Sequence, residues 1–237
     1  MGRAIIRATA AFAAASAALS SEPAAMRDVA IGGFWREPIK RVTEKFLPHC
    51  VRQLDAGGLG EDLQSLIAAA QTLRGEPVTS RRDVTRWGEA YVYNTVEAIC
   101  LALEIDPGGD TDLANAQSFL RRKLEEWIPV ILAAQRGDGY THAYSIVKKR
   151  PAYAAIADHE FYVMGYFIEM GVAHHRMTQG KDRRLYEAAI RCADHIHPMF
   201  RPPPKPTCKN GHPALEMALR RLARSRNRNA RDGRGPP

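Results

Sequence analysis

The stretch that decides the fold is residues 158–162, Asp158-His159-Glu160-Phe161-Tyr162. It opens an apolar segment of helical period that carries Met164, Phe167, Ile168 and Val172. A second stretch of this kind is Gly211-His212-Pro213 with Glu216, followed by Leu219 and Leu222. Each stretch places a histidine at or just before the start of a helix. Two such histidines on separate helices predict a polar pocket where helix ends converge.

Helical periodicity extends outward from these stretches over most of the chain, from residue 38 onward. We predict helices over residues 38–58, 63–73, 83–103, 113–134, 159–178 and 184–197, and another from residue 213 onward. Asp83 is a candidate N-cap, and Pro129 is expected to kink or end its helix. The first helix should bury an apolar face formed by Ile39, Val42, Phe46 and Val51.

The order of these elements indicates an all-α fold of helical hairpins stacked side by side, as in an α/α toroid. No segment shows the alternation of a strand. Residues 135–157 lack clean periodicity, and a long loop inside a compact helical domain is often functional. That loop contains Asp138-Gly139-Tyr140, which is either a simple turn or a carboxylate and an aromatic ring offered to a sugar.

The composition suits one domain with a sizeable core, because the chain has 237 residues and 45% hydrophobic content. Its formal charge is +8, but seven arginines and one acid, Asp232, lie between residues 220 and 234. We therefore interpret residues 26–222 as the domain and residues 223–237 as a basic, disordered tail. An RNA-binding arm is the alternative, disfavoured because no aromatic residues for base stacking interleave the arginines.

The chain begins with a basic start and an uncharged, Ala-rich run, so residues 1–25 are typical of a secretory signal peptide. The alternative is a disordered leader, and the run is too short for a membrane span. A functional signal predicts a periplasmic or secreted protein, and otherwise a cytoplasmic one. Among the four cysteines, Cys50, Cys100 and Cys192 are expected in helices and Cys208 in an exposed loop. No CxxC spacing predicts a metal or redox site.

The candidate site residues are His159, His212, Asp138, Glu160, Glu89 and Asp83. A histidine at a helix start lies near backbone N–H groups, which favour the neutral imidazole. A neutral imidazole can both donate hydrogen bonds to sugar hydroxyls and accept them. The alternative for each histidine is an ordinary solvent contact at a helix end. Asp83 and Glu89 are interpreted as helix caps or surface charges, and Trp87 as a core residue.

Several segments of the chain resemble the N-terminal part of glycoside hydrolase family 127, the β-L-arabinofuranosidases once catalogued as DUF1680. The similarity runs over residues 29–222 in matching order and spacing. The segments that carry it are Gly33-Phe34-Trp35, Leu47-Pro48-His49, the runs 83–90 and 135–140, His159-Glu160-Phe161-Tyr162 with Gly165, the runs 173–180 and 189–196, and Gly211-His212-Pro213 through Leu219.

The resemblance implies an incomplete (α/α)6 toroid, about half of the helical ring, acting on terminal β-L-arabinofuranosides or related plant-glycan sugars. It implies that His159 and His212 bind the substrate, an arabinose-containing oligosaccharide or glycan. Asp138 and Tyr140 match a family loop, and their role stays open.

The full-length family also uses a cysteine nucleophile beside a zinc ion and a glutamate acid/base, which come later in its chain than Glu216. None of the four cysteines here matches, so no catalytic residue and no metal ligand is assigned, and we expect no cofactor in this chain. A truncated or frameshifted, inactive hydrolase is the resulting expectation. A non-catalytic carbohydrate-binding remnant is the alternative, and a nucleic-acid binder acting through the basic tail ranks last.

Overall fold

The computed structural model describes residues 24–56, 63–79, 83–200 and 212–231, and these residues contain helices and turns but no strand. The first helix, α1, runs through three contiguous segments: α-helical Arg36–Arg41, π-helical Val42–Phe46 and α-helical Leu47–Ala56. The helices that follow are α2 (Leu63–Leu73), α3 (Glu89–Leu103), α4 (Thr111–Ala133), α5 (Ala143–Val147), α6 (Glu160–Met177), α7 (Arg184–Ile196) and α8 (Ala214–Arg231).

Helices α3, α6 and α8 form one row of parallel helices, with α6 in the middle. Their starts lie together, because the His159 ring just before α6 contacts both Trp87 and His212. Their middles also lie together. Arg221 of α8 pairs there with Glu97 of α3 (3.2 Å) and with Glu169 of α6 (2.7 Å).

Helices α1, α4 and α7 form a second row. Lys40 of α1 pairs with Asp110, the N-cap of α4, at 2.6 Å. Trp127 Nε1 further along α4 donates to Asp55 near the end of α1 (2.8 Å). Arg184 links the start of α7 to α4 through Glu125 (2.8 Å). Two rows of helices connected by hairpins are the arrangement of an α/α toroid, so the predicted all-α, incomplete (α/α)6 fold is confirmed.

The core lies between the two rows, and α6 is apolar around most of its circumference. Two glycines let neighbouring helices approach α6 closely. A Cβ atom at Gly165 would lie 2.8 Å from the backbone carbon of Ala214 in α8. A Cβ atom at Gly171 would lie 2.6 Å from the Leu185 carbonyl oxygen in α7. The largest side chains buried between the rows are Trp127, Tyr93, Tyr140, Tyr186 and Phe167.

Helix α3 begins later than predicted, and Asp83 is not its N-cap. The helix starts at Glu89, and Asp83 instead pairs with Lys148. The backbone before Glu89 finds a partner outside any helix, since the carbonyl of Arg86 accepts a hydrogen bond from the His142 ring (2.9 Å). This distant contact is what keeps residues 83–88 out of the helix.

Helices α4 and α8 both continue past the points where we predicted breaks. Helix α4 does not end at Pro129. Proline removes one backbone hydrogen bond, the one that position 129 would donate to the carbonyl of Glu125, and water can replace it because Pro129 and Glu125 are both exposed. Helix α8 continues to Arg231, so residues 223–231 are helical where a disordered tail was predicted. Arginine is a good helix former, which allows the helix to extend beyond Leu222, its last fully buried apolar residue.

Two smaller expectations about the fold are also wrong. Val42 and Phe46 are 46% and 60% exposed, because the π-helical segment turns them away from the core that Val51 enters. The loop 135–157 contains the short helix α5, which the lack of periodicity concealed.

The predicted leader lies almost entirely outside the described residues, as does Cys208. None of the described helices is both long enough and apolar enough to cross a bilayer.

Candidate functional site

The candidate site lies where the N-terminal ends of α3, α6 and α8 meet. His159 immediately precedes α6, His212 precedes α8, and Trp87 precedes α3. The ring centroids of His159 and His212 are 5.3 Å apart and the rings are stacked, while Trp87 meets His159 edge-on at 5.2 Å. The structure therefore brings together the two histidines that the sequence singled out, although 53 positions separate them.

The backbone at His159 has an unusual conformation. Residues Ile156–Asp158 form a 3₁₀ turn, and His159 both ends that turn and caps α6. Its φ of 60° lies in the left-handed region, which is uncommon for a residue with a side chain. Its carbonyl oxygen accepts from the N–H of Val163 (3.0 Å), as expected at a helix start. The chain thus turns sharply at the residue that carries the imidazole.

The two imidazoles form a hydrogen-bonded pair. His212 Nε2 lies 3.2 Å from His159 Nδ1, so one nitrogen carries the proton and the other accepts it. Burial lowers the pKa of His159 below its usual 6.5, and a positive charge on His212 lowers it further. For His159 this is the predicted direction, towards the neutral ring, but its main cause is burial and not the backbone N–H groups of the helix start. His159 is half-buried and His212 is exposed, so the pair lies at the surface.

Aromatic side chains continue from the histidine pair along α6. Tyr162 lies 5.0 Å from His212 and 4.8 Å from Tyr166, measured between ring centroids. Burial raises the pKa of Tyr162 to about 12, with Tyr166 adding to the shift, so Tyr162 keeps its hydroxyl proton at neutral pH. Both tyrosines are half-buried. Polar groups set among aromatic rings are typical of small-molecule sites.

Asp138 and Tyr140 support the loop 135–158 and do not face the site. Asp138 pairs with Arg136 and accepts from the Tyr140 N–H (3.2 Å), and the Arg136 hydrogen bond lowers the pKa of Asp138 to about 2. Tyr140 is buried, and its hydroxyl donates to Glu160. Between them, Gly139 has a φ of 93° and lies against the backbone of Arg191, where no Cβ would fit.

The interpretation of Glu89 as a cap or surface charge is wrong, because its side chain is fully buried. Its Oε1 accepts from the N–H of Ala143 (2.6 Å), and burial raises the pKa of Glu89. Trp87 is half-buried: it packs against the core, as expected, and its ring also meets His159 edge-on at the candidate site. The expectation for Trp87 assumed that it lies within the helix, but the helix begins only at Glu89.

Sequence reasoning missed His142, which is fully buried. A carbonyl oxygen can only accept, so the Nε2 atom that contacts Arg86 O carries the ring proton. His142 Nδ1 is therefore the acceptor, and the Ser145 hydroxyl donates to it at 2.8 Å. This histidine fixes the segment that leads into Trp87. The run Tyr140-Thr141-His142 gives no sign of this role, because the Arg86 carbonyl that His142 binds lies 56 positions away in the sequence.

The described residues do not form the zinc site that the resemblance attributes to full-length relatives. No three His, Cys, Asp or Glu side chains in the described ranges are placed to share a metal ion. Burial raises the pKa of Cys100 and of Cys192, which keeps both as thiols in the core. A zinc ligand or nucleophile must be a thiolate. Cys100 and Cys192 therefore do not fit the role of zinc ligand or nucleophile.

Comparison with known proteins gives one family for this arrangement. A model described as "Beta-L-arabinofuranosidase, GH127 catalytic domain" matches residues 28–229. A non-reducing end β-L-arabinofuranosidase from Bifidobacterium longum subsp. longum is 33% identical over 138 residues, which are 55% of this chain and 19% of that protein.

Solved structures agree on the fold. A GH127 β-L-arabinofuranosidase from Geobacillus stearothermophilus T6 superposes with a TM-score of 0.66 at 22% sequence identity. The superposition covers 84% of this chain and 30% of the Geobacillus chain. A second GH127 β-arabinofuranosidase gives a TM-score of 0.69 at 22% identity, over 88% of this chain and 32% of its own. The chain thus spans less than a third of the length of these relatives. With the family model matching most of its residues, the chain belongs to the GH127 β-L-arabinofuranosidase catalytic-domain family.

Proposed function

We propose that this chain recognises the terminal β-L-arabinofuranosyl residue of an arabinose-containing glycan, as the sugar-binding part of a GH127 hydrolase. The observation that carries the proposal is the His159–His212 pair at the converging helix starts. The ring nitrogens of two imidazoles can donate and accept hydrogen bonds, which suits the hydroxyls of a small sugar ring. The neighbouring rings of Trp87 and Tyr162 supply apolar faces beside them.

Sugar binding at this site is tested by titrating the full chain with methyl β-L-arabinofuranoside and following the histidine signals by NMR. We expect His159→Ala and His212→Ala each to weaken binding by about threefold to tenfold, the usual effect of losing one hydrogen bond to a ligand. The exposed His49 on α1 is the matched control, and His49→Ala should bind like the unaltered chain. Equal affinity in all four proteins would contradict the proposal.

A non-catalytic carbohydrate-binding role is the second candidate. It is favoured by the lack of a metal site in the part of the chain that the structure describes: Cys100 and Cys192 are buried thiols, and no three His, Cys, Asp or Glu side chains there are placed to share a metal ion. The discriminating measurement is the release of free L-arabinose from the same glycoside. Binding together with release supports the hydrolase, and binding without release supports the binding role.

A further inference from the structure

His159 is held between two buried acids that both point away from the sugar site. Asp158 is 2% exposed and Glu160 is 4% exposed, although acids of this kind are almost never fully buried unless paired. Nothing in the proposed sugar recognition uses either carboxylate. The two acids flank His159, which carries the imidazole, and their hydrogen-bond partners show which parts of the chain they hold in place.

Asp158 is bound by two arginines from two different segments. Arg86 Nε donates to its Oδ1 at 3.1 Å, and Arg150 donates to its Oδ2 from Nη2 at 2.9 Å and from Nε at 3.2 Å. Both guanidinium groups also lie over the ring of Tyr144, at 5.4 and 5.8 Å from its centroid. Arg86 directly precedes Trp87, so this contact also fixes the indole that meets His159 edge-on.

Glu160 is fixed in a similar way from the loop 135–158. Its Oε1 accepts from the Tyr140 hydroxyl and from the N–H of Tyr153 (2.9 Å). Tyr153 itself has a left-handed backbone with a φ of 60°. The loop therefore closes around the start of α6 and holds the residue that follows His159.

These contacts explain how His159 keeps a strained, left-handed conformation, which persists only when the surroundings enforce it. The chain on either side of His159 is anchored through a buried carboxylate. With both neighbours fixed, the position from which the imidazole projects is set, and the ring lies against Trp87 and His212.

We propose that Asp158 and Glu160 are positioning residues, which lock the backbone of His159 so that its imidazole is preorganised to bind the sugar. This inference rests on the proposed sugar-binding function. The chemistry of recognition stays with the two histidines, and the acids act through them. Preorganisation of this kind raises affinity because the ligand does not have to order the site on binding.

The test uses Asp158→Asn and Glu160→Gln, which keep the side-chain shape and remove the charge. We expect each to weaken binding of methyl β-L-arabinofuranoside by about tenfold, equivalent to about 1.4 kcal/mol. Arg150→Gln should weaken binding similarly, and Arg150→Lys should restore part of the loss. The control is Glu187→Gln, which removes a half-buried ion pair between α7 and Arg183, the residue just before that helix, and should leave binding unchanged.

The second readout is the NMR signature of the His159 ring without sugar. Its protons should shift in Asp158→Asn and Glu160→Gln, because the ring moves relative to Trp87. Unchanged ring signals and unchanged affinity in both variants would overturn the inference. If Asp158→Asn does not fold, Arg150→Lys and Arg150→Gln decide by the same readouts. If the unaltered chain binds no sugar, the proposed function fails, while the ring signals still report whether the acids position His159.

Discussion

At the scale of single residues, the acids and the histidines of this site have different tasks. Asp138, Asp158 and Glu160 are all engaged by the loop 135–158 or by the segment before α3. Only His159 and His212 meet each other at the surface. The sequence offered Asp138 and Glu160 as candidate site residues, but their hydrogen bonds go to the loop and not to the histidine pair.

We expect the His159 ring to titrate below 6.5 and to move towards that value in His212→Gln. Removing His212 takes away a repelling charge, but burial is the larger cause and keeps the pKa of His159 depressed. An NMR pH titration of the ring measures this, with His49→Ala as the unaffected control. A pKa of His159 that stayed the same or fell in His212→Gln would show that the two rings do not interact.

The same shift makes the stability of the fold depend on pH. Around pH 6 the unfolded chain binds more protons at this position than the folded chain, because the folded pKa of His159 is lower. His159 therefore lowers stability as the pH falls below about 6.5 and has no such effect above it. Burial also lowers the pKa of His174, which adds to the effect in the same direction.

At the scale of helices, the glycines of α6 set how closely its neighbours pack. The sequence predicted α6 and its buried face, with Met164, Phe167 and Ile168 all fully buried. It did not predict that Gly165 faces the start of α8, because that contact joins residues about 50 positions apart. The distance between α6 and α8 in turn sets the distance between His159 and His212.

We expect Gly165→Ala to lower the free energy of unfolding by about 1–3 kcal/mol, despite alanine's better helix propensity. The added Cβ meets the Ala214 backbone at 2.8 Å, and a backbone cannot rotate away as a side chain can. Urea unfolding measures the change. Gly137→Ala is the control, since nothing lies within 4 Å of its Cβ position and its φ is not positive. Equal stability of the two variants would contradict this packing.

At the scale of the whole molecule, α6 is the centre of the described structure. It packs against α3, α7 and α8, while α4 in the other row keeps an exposed face that includes Arg121, Arg122 and Glu126. The candidate site around His159 and His212 lies at one end of this central helix. Its geometry therefore depends on the packing of the whole helical layer and not only on the local loops.

We expect backbone amides in the middle of α6 to exchange with solvent more slowly than those of α4, because α6 is buried on most sides whereas α4 keeps one exposed face. Residues 224–228 of α8 should exchange fastest among the helices, since none of their side chains is buried. Hydrogen exchange followed by mass spectrometry tests both statements. Faster exchange in α6 than in α4 would mean that α6 is not the most stable element.

The sequence by itself determined the helical class, the positions of most helices and the two histidines at helix starts. These features are encoded locally, in the 3.6-residue period of apolar side chains and in the residues that begin helices. The family resemblance could also be read directly from the order of short motifs, and the family model confirms it.

Only the tertiary structure decided which side chains face the site. Trp87 lies beside His159, Glu89 is buried, and His142 holds the carbonyl of Arg86, all through contacts between residues more than 50 positions apart. No local pattern encodes such contacts, because they depend on how separate helices pack. The left-handed turn at His159 also depends on tertiary contacts, since Arg86 before α3 and Arg150 and Tyr140 of the preceding loop hold the chain around it.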